Sequence, residues 1–142
     1  MSPRDCALIA ARAAGDKKGT DIIVQEIGRQ IVVTDYFVIV SAANIRQVDA
    51  ICESVEEALR LEAGVKPIGR EGLEERSWVL LDYGDFVVHV FRPEYRDFYR
   101  LETLWNDAPI VDLVAAGVVH EHADEPGLAP QPSIQPAPLP LG

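Results

Sequence analysis

Apolar and polar positions alternate with two different periods along this chain, and each stretch predicts its own element. From Asp5 to Ala14 the residues are good helix formers, and GDKKG, residues 15–19, supplies a stop with cations where a helix C-terminus favours them. A short first helix is expected there. The runs DIIVQEI (21–27) and QIVVTDYFVIVSA (30–43) are rich in β-branched residues and meet at Gly28-Arg29, which reads as a hairpin or tight connection between two strands. In NIRQVDAICESVEEALRLEAG, Asn44 offers an N-cap, Gly64 offers a stop, and Ile45, Val48, Ile51, Cys52, Val55, Ala58 and Leu59 recur at helical spacing. Arg46, Asp49, Glu53, Glu56, Glu57 and Arg60 form the solvated face of that long helix.

The loop VKPIGREGLEERS (65–77) leads into WVLLDYGDFVVHVF (78–91), two strand-like runs around Tyr83-Gly84. In RPEYRDFYRLETLW, Pro93 fits a helix start and Phe98, Leu101 and Leu104 to Trp105 predict a further short helix. Strands, a long helix, strands and a helix define an α/β domain with a mixed sheet of about four or five strands packed with helices. The connection from 43 to 78 holds a full helix, so the strands it joins can be parallel, but strand order is not legible. One domain is expected over residues 1–112, followed by an irregular to Pro-rich disordered tail over 113–142. From Glu125 this tail, EPGLAPQPSIQPAPLPLG, holds six of the chain's ten prolines and reads as a linker or overhang, with an SH3-type ligand as the functional alternative.

The hairpin carries the candidate chemistry. With Gly84 at the second loop position of a type I′ turn, Asp82 would oppose Asp85. Trp78, Leu80, Asp82, Asp85, Val87, His89 and Phe91 would share one face, and Val79, Leu81, Phe86, Val88 and Val90 a purely apolar one. The mixed face joins an aromatic anchor to acidic groups, as a surface recognised by a basic protein does. The plainer reading gives Trp78 a place at the sheet edge under Phe91 or the terminal helix, and makes His89 a structural strand histidine.

Charge narrows the partners. The chain has a net charge of −10, and affinity for nucleic acid rests largely on Lys and Arg neutralising phosphates. Bare DNA or RNA is therefore a poor candidate partner, whereas a basic protein surface remains compatible with the charge. No apolar run approaches the ~18 residues of a membrane span, and CALIAARAAG lacks a basic n-region, so a cytoplasmic protein is expected. Cys6 and Cys52 match no metal or redox spacing, and neither a disulfide, a metal nor a cofactor is expected. Asp82 and Asp85 could hold Mg²⁺ in a nucleotidyltransferase, which is the alternative function. Such chemistry also needs groups that grip phosphate, and the strand-to-helix junction SAANIRQ carries no glycine loop. No motif for another catalytic class is present, so no enzyme is expected.

DIIVQEI, VTDYFVIVSAANIRQVDAICESVEE, the block from Glu71-Gly72 through WVLLDYGDFVVHVF, and RDFYRLETLW together resemble the ribosomal silencing factor, or Iojap, family from about Ala7 to Trp105. The resemblance implies a nucleotidyltransferase-like fold without that superfamily's catalytic residues, and a homodimer when free. It also implies binding to a basic large-subunit ribosomal protein at the subunit interface, which sterically blocks joining of the small subunit and represses translation. Trp78 falls where family members place an interface tryptophan. Leu80, Asp82, Tyr83, Asp85 and His89 complete the expected partner-binding set by extension from the hairpin. A dimeric scaffold acting away from ribosomes is a third reading.

Overall fold

Ser2 Oγ accepts the Asp5 amide at 3.1 Å while the Asp5 carboxylate accepts the Ser2 amide at 3.3 Å. With Pro3 at the first helical position, this reciprocal cap begins α1 (Pro3–Asp16) earlier than the expected Asp5. The structure, a computed structural model, describes residues 1–28, 34–103 and 108–118. Ala7, Ala10, Ala11, Ala13 and Ala14 make the inner face of α1 nearly all alanine, so it packs close to α2 (Ile45–Ala63) and to the sheet. Ser54 Oγ donates to the Ala13 carbonyl at 2.9 Å, and Arg12 pairs with Glu62, tying the two helices together. The capping residues of α2 are those expected: Asn44 Oδ1 accepts the Gln47 amide at 2.9 Å, and Gly64 ends the helix at φ +69°. Ile45, counted with its apolar face in the sequence, is exposed in the first turn.

The sheet contains β1 (Thr20–Glu26), β2 (Tyr36–Ser41), β3 (Gly69–Glu71), β4 (Trp78–Asp82) and β5 (Phe86–Phe91), in the order β1-β2-β5-β4-β3. β2 and β5 are parallel and every other pair is antiparallel. Among the described residues the second strand begins at Tyr36, just after Asp35, whose carbonyl accepts the amides of both Ile27 and Gly28 at 3.0 Å. Residues 29–33, which include the start expected at residue 30, lie outside the described residues. β3 arises inside the stretch read as loop. Three residues with an intermediate-exposed-exposed pattern carry no apolar alternation to announce a strand.

Central position explains why the β2 sequence reads as continuously apolar: Phe37, Val38, Ile39, Val40 and Ser41 are all buried, with cover on both faces. On the helix side, Val24, Val38, Val40, Val79, Leu81, Phe86, Val88 and Val90 meet Ile51, Val55 and Leu59 of α2 and the alanine face of α1. Each fully buried Val or Leu there contributes about 1.5–3 kcal/mol relative to exposure. On the other side a smaller cluster of Ile27, Phe37, Ile39 and Phe91 is closed by Leu101 and Ala108.

α3 (Pro93–Tyr99) is shorter than the sequence predicts. Arg100 turns left-handed at φ +48°, and a single 3₁₀ turn (Leu101–Thr103) follows. The break shifts the phase, so Leu101 is buried while Phe98, expected inward, is 62% exposed. Leu104 and Trp105 lie outside the described residues. Further along, the Glu26 amide donates to the Pro109 carbonyl and the Val111 amide to the Val24 carbonyl, each at 2.8 Å, which covers the open edge of β1. Leu113 is buried and Val118 packs against the helix-side core, so packing continues past residue 112. The Pro-rich tail expected to be disordered lies outside the described residues from 119 onward. No helix among the described residues is long and apolar enough to cross a membrane.

Candidate functional site

The hairpin between β4 and β5 sets the geometry of the candidate site, and its turn is not the one expected. The Tyr83 amide donates to the Phe86 carbonyl at 3.0 Å, so Gly84-Asp85 form the two-residue loop and Asp82 pairs with Val87. Gly84 has φ +88° whereas Asp85 does not enter the positive-φ region, the signature of a turn with glycine at its first central position. Register moves by an even number of positions, and the faces therefore survive. Trp78, Leu80, Asp82, Val87, His89 and Phe91 share one face; Tyr83 joins the opposite, helix-side face and Asp85 leaves the ladder for the exposed turn. The expected Asp82-to-Asp85 opposition is thus corrected, and with it goes the paired-carboxylate geometry on which a metal site depended. Asp82 Oδ1 instead accepts the Gly84 amide at 2.8 Å and holds the turn.

Tyr83 is buried, stacked on Phe86 with centroids 4.7 Å apart, and burial pushes its phenol well above the ordinary range. His89 is also buried. Its imidazole meets the edge of Phe37 at 4.5 Å, and desolvation lowers its pKa from 6.5 to about 3, so it is neutral near pH 7. Neither side chain offers surface to a macromolecule. Tyr83 was expected in a partner-binding set as a turn residue, which the shifted loop overturns, and His89 because period-two alternation cannot distinguish a solvated sheet face from one with its own cover.

Trp78 lies half-buried at the border of this covered face. Its indole stacks on Phe91 at 4.8 Å, packs against Tyr99 of α3 at 5.0 Å, and donates from Nε1 to His89 Nδ1 at 3.1 Å. Phe98 meets Tyr99 edge-on at 5.0 Å, and these two are 62% and 48% exposed. An aromatic ledge therefore runs from buried Phe91 through Trp78 to solvent on α3. The sequence contained its signal, the Phe98-Tyr99 doublet, but helical phase placed Phe98 in the core.

Beside the ledge, residues 72–77 form a tight loop. Gly72 sits at φ +85°, where a Cβ would fall 2.0 Å from the Trp78 carbonyl oxygen, so only glycine lets the chain pass. The Arg76 amide donates to the Gly72 carbonyl at 2.9 Å, and the Arg76 guanidinium pairs with Asp49 of α2 at 2.8 Å. A groove of about 550 Å³ lies between loop and ledge, lined by Arg70, Gly72, Leu73, Glu74, Glu75, Ser77 and Trp78. Rigid aromatic rings beside an acid-bearing groove define a small α/β protein equipped to present a preformed surface.

Residues 1–133 match the family described as ribosomal silencing factor during starvation. A ribosomal silencing factor of Bacillus subtilis is 40% identical over 113 residues, 80% of this chain and 95% of the relative. A crystal structure of a Chromobacterium violaceum protein superposes with a TM-score of 0.71 at 39% identity, covering 75% of this chain and 88% of the other. A mouse protein named for mitochondrial assembly of the ribosomal large subunit is 33% identical over 97 residues, 67% of this chain and 42% of the relative. The chain belongs to the ribosomal silencing factor family. Membership gives it a ribosome-associated silencing role, and the family is one of regulatory proteins.

Proposed function

We propose that this protein binds the large ribosomal subunit through a basic ribosomal protein at the subunit interface and sterically blocks joining of the small subunit. The observation that carries this reading is the aromatic ledge of Trp78, Tyr99 and Phe98 beside Glu74 and Glu75. Aromatic side chains bury large rigid areas at low entropic cost, and an acidic rim steers a basic partner toward them. The net charge of −10 works in the same direction, since exposed rRNA phosphates repel the protein and a basic protein patch supplies the local attraction. A mouse relative named for assembly of the large subunit supports the choice of subunit. Trp78, Leu80, Asp82 and Asp85 remain the proposed contact residues on β4 and its turn, joined by Tyr99 and Phe98 of α3. In this reading the free protein pairs with a second copy of itself in the cytoplasm.

Gradient centrifugation with purified subunits tests the proposal together with a light-scattering assay of subunit joining. Co-migration with large subunits and slower, less complete joining at saturating protein are expected. Migration with small subunits, or unimpaired joining at full occupancy, would overturn it.

A further inference from the structure

The single hydrogen bond between Trp78 and His89 connects the exposed ledge to the buried face of the sheet. An indole N–H can only donate, so His89 Nδ1 is the acceptor and the proton of the neutral ring sits on Nε2. Among the described residues that buried Nε2 has no hydrogen-bond partner. An apolar side chain of similar volume would avoid leaving a buried polar atom unsatisfied, so filling space does not explain a histidine here. What the imidazole adds is a directed acceptor, on a ring held by Phe37 at 4.5 Å and parallel to Phe91 at 6.3 Å. Strand register fixes its place too: His89 pairs with Leu80, and Trp78 with Phe91, which puts Trp78 diagonally across from His89 on the same face. Stacking on Phe91 and a tilted contact with Tyr99 confine the indole plane, but a half-turn of the ring about its Cβ–Cγ bond would keep that plane while carrying Nε1 to the other side. The Nε1-to-Nδ1 bond selects one orientation.

We propose that His89 is a positioning residue for docking: without touching the partner, it locks the Trp78 indole in the orientation that the partner surface meets. This rests on the reading of Trp78 as a docking anchor. A side chain pre-set in its bound orientation loses less freedom on association, so removing the lock weakens binding without removing a contact.

A double-mutant cycle on the full chain, read by binding to purified large ribosomal subunits, tests the idea. His89→Leu removes the acceptor and should weaken binding about tenfold, the scale of one lost hydrogen bond. His89→Asn, whose amide oxygen can take the place of Nδ1, should restore most of the loss. In a Trp78→Phe background, which has no N–H to hold, His89→Leu should change binding less than twofold. The Trp78 indole N–H resonance, assigned by its absence from Trp78→Phe, should shift in His89→Leu and return in His89→Asn. Equal penalties in both backgrounds, or an indole resonance that does not move, would overturn the proposal while leaving Trp78 as anchor. Wild-type affinity in Trp78→Ala would instead sink the docking reading and the proposal with it. Should His89→Leu fail to fold, His89→Met takes its place in the cycle and the same outcomes decide.

Discussion

Arg96 and Ser41 meet through a 2.9 Å hydrogen bond across 55 positions of sequence, the guanidinium donating to the hydroxyl at the end of β2. Arg96 is 6% exposed, and α3, the short helix that carries it, has Arg92 as an N-cap that makes no side-chain capping hydrogen bond. A helix of seven residues is marginal in isolation, so tertiary anchors such as this one hold it, and with it Tyr99, against Trp78.

Arg96→Ala should therefore lower stability by ~2–3 kcal/mol, the scale of hydrogen bonds to charged groups together with the packing lost. Limited proteolysis should find the segment after Phe91 cut sooner than in the wild type. Unchanged melting and cleavage would show that other contacts carry α3.

Trp78→Ala tests the ledge directly. Complete burial of a tryptophan would predict a loss of ~3–5 kcal/mol, but half-burial predicts ~2 kcal/mol together with at least tenfold weaker association with the large subunit. Chemical denaturation and subunit binding measured on one preparation separate the two effects. A fall in stability with affinity intact would assign the residue to packing alone.

His89 makes an acid limb. Its folded pKa of about 3 lies below the ordinary 6.5, so between these values the unfolded chain binds the extra proton. Stability from this group is complete above about pH 6.5 and declines as pH falls toward 3, with a limiting slope of about 1.4 kcal/mol per unit. Urea titrations from pH 7 to 4 should show a shallower decline for His89→Asn than for the wild type. Parallel curves would mean that the folded chain takes up the proton on His89 as readily as the unfolded chain does.

The two aspartates should part company. Asp82 Oδ1 holds the Gly84 amide, and Asp82→Asn keeps an oxygen there, whereas Asp85 stands exposed in the turn. Asp85→Asn should slow association with large subunits and flatten its dependence on salt, because rim charges act chiefly on encounter rate. Stability should hardly change in either variant. An unaltered salt slope in Asp85→Asn would remove that residue from the contact surface.

Local signals made most of the architecture legible in advance. Asn44 and Gly64 bracket α2 because cap chemistry is written in single residues, and the two faces of β4–β5 came through even with the wrong turn because an even register shift preserves alternation. What failed depended on distant parts of the chain. Whether His89 faces solvent is decided by Phe37 and Phe91 beside it on the sheet and by Leu101 closing the same cluster, and whether Phe98 faces inward is decided by the left-handed Arg100 that ends its helix early. β3 had no signal because a short edge strand needs only a backbone neighbour. The turn was misread because Tyr-Gly-Asp suits glycine at either central position, and only the Tyr83-to-Phe86 hydrogen bond distinguishes them.

The central placement of β5 has a consequence for how the chain is made. Its parallel neighbour β2 precedes it by the whole of α2 and two further strands, so the middle of the sheet is the last part to acquire its sequence during synthesis. Until Phe86–Phe91 has emerged, the nascent chain holds a helix pair and a hairpin with one side of β2 unpaired, an apolar edge open to other chains. Closure then depends on a contact of long sequence separation, which is slow to form. Chains halted before Phe86 should accordingly be captured by holding chaperones or aggregate, while chains extended past Val118 should escape both.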